Sequence, residues 1–115
     1  MSTGCLFCNV VARTVPAQIV FENDHVLAFK DIRPMAPTHA LVIPKKHITG
    51  IHDATPEHAA MLGELLLAAR DVAESLGLAQ SGYRLVMNQG PDGGQSVFHL
   101  HCHVMGGRPM AWPPG

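Results

Sequence analysis

Residues 99 to 103 read His99-Leu100-His101-Cys102-His103, and the five other histidines of the chain lie elsewhere. In an extended strand, residues i, i+2 and i+4 share a face. The spacing therefore predicts three imidazoles on one side and Leu100, Cys102 and Val104 on the other. Imidazole titrates near physiological pH and serves as nucleophile, general acid, general base or metal ligand. Two chemistries fit the row: a nucleophile with helpers, or a metal cage. Three solvated rings on an edge strand would be the purely structural alternative. A cupin-like metal site would want a carboxylate ligand, and the segment around the row has only Asp92.

The segment feeding this strand, residues 90–98, contains Gly90, Gly93 and Gly94. Glycines let backbone amides approach a ligand, and successive amides make an anion-binding concavity. A phosphate held beside a histidine row suggests phosphoryl or nucleotidyl transfer through histidine.

The rest of the chain must position these groups. Residues 5–13 read as a short helix packing on Leu6, Val10 and Phe7. Residues 18–22 and 25–30 read as a hairpin turned by Asn23-Asp24. A proline-containing loop over 31–39 precedes a short apolar strand, 40–43, closed by Pro44. Thr55-Pro56-Glu57 marks a helix start, with a threonine cap, proline at the first position and an acid at the positive dipole end. Leu62, Leu65, Leu66, Ala69, Val72, Ala73 and Leu76 keep a helical period up to Gly77. Residues 83–88 and 98–105 read as the last two strands. The expected fold is α+β: a meander of about five antiparallel strands, one long helix over 56–76, and a short N-terminal helix, in one domain spanning 1–115.

Composition narrows the function classes. The 115 residues carry a formal charge of −1, 47% hydrophobic and 15% charged residues. That describes a globular chain with no footprint for duplex nucleic acid, and sparse charge hints at surface covered by another subunit. No apolar run reaches the roughly 18 residues of a membrane span. The start lacks a basic signal-peptide region and the cysteines number three, so the expected location is the reducing cytoplasm. Lys45-Lys46 reads as a solvated pair, and Trp112 as a ring docked on a surface or partner.

The row fits His-φ-His-φ-His-φ-φ, with φ apolar, over residues 99–105. Together with Asp31-Ile32, Pro37-Thr38-His39, the 42–48 segment VIPKKHI, residues 92–97 and the terminal Trp112-Pro113-Pro114-Gly115, it resembles the Hint branch of the histidine triad family along essentially the whole chain. The resemblance implies a homodimer that binds a purine mononucleotide such as AMP or GMP. It implies hydrolysis of nucleoside phosphoramidates or adenylylated amines, with no cofactor needed for catalysis. His101 would be the nucleophile and form a nucleotidyl-histidine intermediate. His103 would contact the phosphate, with His99 and His39 as a supporting network. Asp31 would accept the ribose hydroxyls, with Ile32, Phe7, Val10, Leu27 and Phe29 around the base. Asn88, Gly94, Gln95 and Ser96 would hold the phosphate and the leaving nitrogen. A regulatory nucleotide-binding module with incidental hydrolysis would keep the same pocket.

Cys5 and Cys8 leave two readings open. Buried, they pack as small hydrophobes. As half of a zinc site they need two more ligands, and in some bacterial members of the family such a pair is completed by histidines that match His47 and His99. That zinc would be structural.

Overall fold

A computed structural model describes residues 4–115. Helix α1 (Leu6–Val11) leads into a five-stranded sheet: β1 (Ile19–Glu22), β2 (Val26–Lys30), β3 (Thr38–Pro44), β4 (Tyr83–Val86) and β5 (Cys102–Gly106). The long helix α2 (Ala59–Ser75) lies between β3 and β4 in the chain. Every neighbouring pair is antiparallel, and the spatial order is β1-β2-β3-β5-β4. The expected meander is thus interrupted. β5 inserts between β3 and β4, so those two run parallel to one another and α2 is the crossover that joins them.

The β1–β2 turn forms as its sequence predicts: Asn23 Oδ1 accepts the amides of His25 (2.9 Å) and Val26 (2.8 Å). The long helix starts where Thr55-Pro56 indicates, but its first turn, Pro56–His58, is 3₁₀. There the Thr55 amide donates to His58 Nδ1 at 2.9 Å. Gly77 takes the left-handed conformation (φ +80°) just beyond the helix end, a backbone state open to glycine. The buried face of α2 is Leu65, Ala68, Ala69, Val72 and Ala73. Leu66 is exposed, contrary to expectation, and Ala68 is buried in its place.

Core residues lie on both faces of the sheet, sorted by alternation along the strands. Val26, Ala28, Ala40, Val42, Leu100, Cys102 and Val104 pack against α2. Leu27, Phe29, Leu41 and Ile43 face the other way and pack with Phe7 and Val10 of α1. Leu6 is half exposed rather than packed in the core. No helix among the described residues is long and apolar enough to cross a membrane.

Candidate active site

β5 is shorter than expected, and His99 and His101 precede it. The β3–β5 ladder runs from Thr38–Gly106 to Val42–Cys102. Continued past Ile43–His101, that register would set Leu100 against Pro44, which has no amide to donate. The chain therefore leaves the ladder, and the Leu100 amide bonds to the Ile48 carbonyl at 2.6 Å instead. The alternation survives without the ladder. Leu100, Cys102 and Val104 sit in the α2-side core, while the three imidazoles lie on the α1 face.

Hydrogen bonds assign protons around the row. His101 Nδ1 lies 2.7 Å from the His99 carbonyl. A carbonyl only accepts, so Nδ1 carries the hydrogen and the neutral ring presents a bare Nε2. His99 is fixed in the opposite sense: Nε2–H donates to the Pro44 carbonyl at 2.8 Å, leaving Nδ1 bare. A second chain of bonds comes from β3. The Met35 amide donates to His39 Nδ1 at 3.0 Å, so neutral His39 holds its proton on Nε2. That nitrogen is 2.8 Å from His103 Nδ1 and 3.4 Å from Asp31 Oδ2. With His39 donating to it, His103 carries its own hydrogen on Nε2. The row therefore offers an unprotonated nitrogen on His101 and a donor on His103, with ring centroids 5.0 Å apart.

Burial favours the neutral form of His103, His39 and His99. It pushes the His103 pKa down to about 4, aided by positive charge on His101 and His39 and opposed by the Asp31 carboxylate. Burial also lowers His39, where Asp31 again opposes. In His99, burial lowers the value against the Pro44 hydrogen bond.

Two cavities meet at the row, and Ser96, His101 and His103 line both. One, of about 460 Å³, is walled by Leu6, Phe7, Val10, Phe29, Leu41 and Val97, with Asp31 and Ile32 at its rim. Phe7 stands edge-on to His101 (5.1 Å) and to Phe29 (5.4 Å), placing an aromatic wall beside the row. The other, of about 830 Å³, is lined by His39, Arg84, Asn88, Gly94, Arg108 and methionines 35, 105 and 110.

Two expected contacts are placed elsewhere. Leu27 is fully buried and forms no wall of either cavity, because β2 alternation sends it into the core beneath. Gln95 is used up inside the glycine loop: its Oε1 accepts the Gly90 amide (3.0 Å), and its Nε2 donates to the Thr49 (2.8 Å) and Val97 (3.3 Å) carbonyls. The amides of Gly94 and Gln95 also close turns, onto Pro91 and Gly90. These two therefore shape the loop instead of forming an open anion concavity. Asn88 donates to the Gly93 carbonyl from a position on the larger cavity. Leu41, Arg84 and Arg108 were not singled out from sequence, and Leu6 only as a packing residue of the first helix. Isolated residues of these types carry no local signal, and only the tertiary fold brings them to the cavities. Asp31, not Asp92, is the carboxylate that reaches the histidines.

Cys5, Cys8, His47 and His99 converge, with their donor atoms within 4.8 Å of one another. His99 Nδ1 lies 3.4 Å from Cys5 Sγ, 3.5 Å from Cys8 Sγ and 3.1 Å from His47 Nδ1, and Cys8 Sγ lies 3.3 Å from His47 Nδ1. A tetrahedral zinc at its usual bond lengths separates two nitrogens by about 3.3 Å and nitrogen from sulfur by about 3.6 Å. The donor set fits that ion in type, number and spacing. The Cys8 thiol is held up at about 11 by burial and by Cys5 beside it, a situation that a cation reverses.

The HIT domain family model matches residues 12–110. A protein of Arabidopsis thaliana named adenylylsulfatase HINT1 is 48% identical over 112 residues, 96% of this chain and 76% of that one. The 14 kDa zinc-binding protein of Zea mays is also 48% identical over 112 residues, 96% of this chain and 87% of that one. The crystal structure of a HIT family hydrolase from Legionella pneumophila Philadelphia 1 superposes with a TM-score of 0.95 at 50% identity, covering 97% of this chain and 100% of that one.

Proposed function

The chain belongs to the HIT (histidine triad) family, and on that premise we propose that it hydrolyses purine nucleoside phosphoramidates or adenylylated amines through a nucleotidyl-histidine intermediate. The observation that carries this reading is the His101 Nδ1–His99 carbonyl bond of 2.7 Å, which leaves Nε2 as a neutral nucleophile between two cavities. The smaller, apolar cavity suits a flat base such as that of AMP or GMP, and Asp31 at its rim suits the ribose hydroxyls. The larger cavity is left for the leaving amine, near Asn88, Gly94 and Ser96.

The step balances without a metal at phosphorus. His101 Nε2 forms a bond to phosphorus as the P–N bond breaks, and the departing nitrogen takes a proton from the His103 Nε2–H or through the Ser96 hydroxyl. Water then attacks the nucleotidyl-histidine, its proton returns to the group that protonated the leaving nitrogen, and the bond from phosphorus to His101 breaks, so that mononucleotide and neutral imidazole are restored. In the competing metal-cage reading, His39 and His103 would turn lone pairs toward an ion. Here His39 Nδ1 already accepts the Met35 amide, and the two rings bond each other.

Cys5, Cys8, His47 and His99 would hold a structural zinc. When bound, it supplies a cross-link between α1 and the segments at 47 and 99, and a reducing compartment such as the cytoplasm keeps its thiolates available. A homodimer would cover the exposed apolar residues Leu66, Leu67, Leu85 and Trp112.

The test is mass spectrometry of protein quenched during turnover of an adenosine phosphoramidate. The expected result is an adenylylated peptide containing His101. His101→Asn should lose activity by several orders of magnitude while AMP affinity survives. Turnover of that variant within about tenfold of the parent would refute histidine catalysis.

A further inference from the structure

We infer that Gln95 is a positioning residue: by tying the glycine loop to the segment that follows β3, it holds Ser96 where its hydroxyl hands a proton to the leaving nitrogen. The inference rests on the hydrolytic reading of the site. It assigns a part in the reaction to a side chain that lines neither cavity.

Ser96 lines both cavities together with His101 and His103. Among the described residues no hydrogen bond holds its hydroxyl, so its place depends on the backbone on either side. Gln95 fixes that backbone. The two hydrogens of its Nε2 go to the carbonyls of Thr49 (2.8 Å) and Val97 (3.3 Å). Its Oε1 accepts the Gly90 amide at 3.0 Å, and its own amide donates to the Gly90 carbonyl at 3.1 Å. The bond to Val97 steps across Ser96, and the pair to Gly90 closes the loop ahead of it. Two carbonyls and one amide around the side chain require both a donor and an acceptor, which an amide has and a carboxylate lacks.

The far end of this staple is itself held. The Leu100 amide bonds to the Ile48 carbonyl at 2.6 Å, and Gln89 Oε1 accepts the His52 amide at 3.0 Å. The chain after β3 is thus joined to the loop on both sides of Thr49. Gly50 permits the close approach, since a Cβ there would lie 2.5 Å from Gln89 Oε1 and 3.2 Å from Gln95 Nε2.

In the proposed step, His101 Nε2 bonds to phosphorus as the P–N bond breaks, and the departing nitrogen takes the Ser96 Oγ–H proton. Oγ takes the proton of His103 Nε2–H in turn, and the attack of water returns it by the same path. A proton donor must lie within hydrogen-bond reach of the atom it serves, and its loss costs about a hundredfold or more. Gln95 touches no reacting atom. Cutting its bonds displaces Ser96 without removing it and should cost part of that factor, about tenfold.

The test compares two substrates that pass through the same nucleotidyl-histidine. An adenosine alkylphosphoramidate expels an amine that needs a proton, whereas the p-nitrophenyl ester of AMP expels a phenolate that needs none. Values of kcat/KM are measured for both in the parent, Gln95→Glu, Gln95→Met and Ser96→Ala. The glutamate keeps the shape and sets an oxygen against two carbonyls; the methionine keeps the length and loses all three side-chain bonds. The expected result is a fall of about tenfold in the ratio of kcat/KM, phosphoramidate over ester, in both Gln95 variants, and at least as large a fall in Ser96→Ala. Any loss common to the two substrates cancels in that ratio. Where Gln95→Glu does not fold, Gln95→Met decides. A ratio within about twofold of the parent in the Gln95 variants, or one that falls there but not in Ser96→Ala, overturns the inference and leaves hydrolysis standing. A parent that cleaves the ester alone, or neither substrate, overturns the P–N reading and the inference with it.

Discussion

Removing one thiolate from the cluster at the N-terminus should both empty a zinc site and loosen the chain. The His99 and His47 nitrogens sit 3.1 Å apart, and the sulfur–nitrogen distances run from 3.3 to 3.5 Å. Each is within a few tenths of an ångström of what a tetrahedral zinc requires, so binding needs little rearrangement and its free energy appears as stability. Free zinc at about a hundred times its dissociation constant stabilises the folded state by about 2.7 kcal/mol. For 115 residues the unfolding entropy is about 0.24 kcal/mol/K, so that stabilisation corresponds to about 11 °C in Tm. Cys8→Ser should lose both the metal and this increment. The assay is elemental analysis of protein purified without chelator, paired with thermal melts in chelator and in zinc. About one zinc per chain in the parent, none in Cys8→Ser, and a zinc-dependent Tm in the parent alone are expected. A metal-free parent whose Tm is indifferent to added zinc would refute the reasoning and return Cys5 and Cys8 to packing.

Acid should destabilise the protein in a window set by the histidines. His103 is held near 4 in the fold by burial, against about 6.5 in an unfolded chain. Its folded pKa is depressed, so the unfolded chain binds the proton first, and the stability this provides above about pH 6.5 is lost as pH falls toward 4. Urea melts at pH 7 and pH 5 should show that loss, reduced in His103→Gln; an identical pH slope in the variant would assign the effect elsewhere. Light scattering at micromolar concentration should give about twice the 12.3 kDa chain mass, and a monomer would sink the proposed dimer.

What the sequence determined by itself was local. The split of residues 99–105 into a histidine face and an apolar face follows from backbone alternation, so it holds even where the β3–β5 ladder stops before His101. The Asn23 turn, the Thr55-Pro56 helix start and the Gly77 stop likewise depend on the conformational limits of the residues that stand there. Tertiary structure decided the rest, because it turns on distances between segments far apart in the chain. Insertion of β5 beside β3 brings His103 to His39 and Asp31, while the segment after β3 carries His47 to His99 and the two cysteines. It buries Ala68 and leaves Leu66 outside, since the helix phase is set by the sheet it packs on. It also spends Gln95 on the Gly90, Thr49 and Val97 backbone. Proton positions belong to this second class. Which nitrogen of His39, His99 or His101 carries hydrogen is set by the Met35 amide and the carbonyls of Pro44 and His99, and a histidine's tautomer is a property of its neighbours.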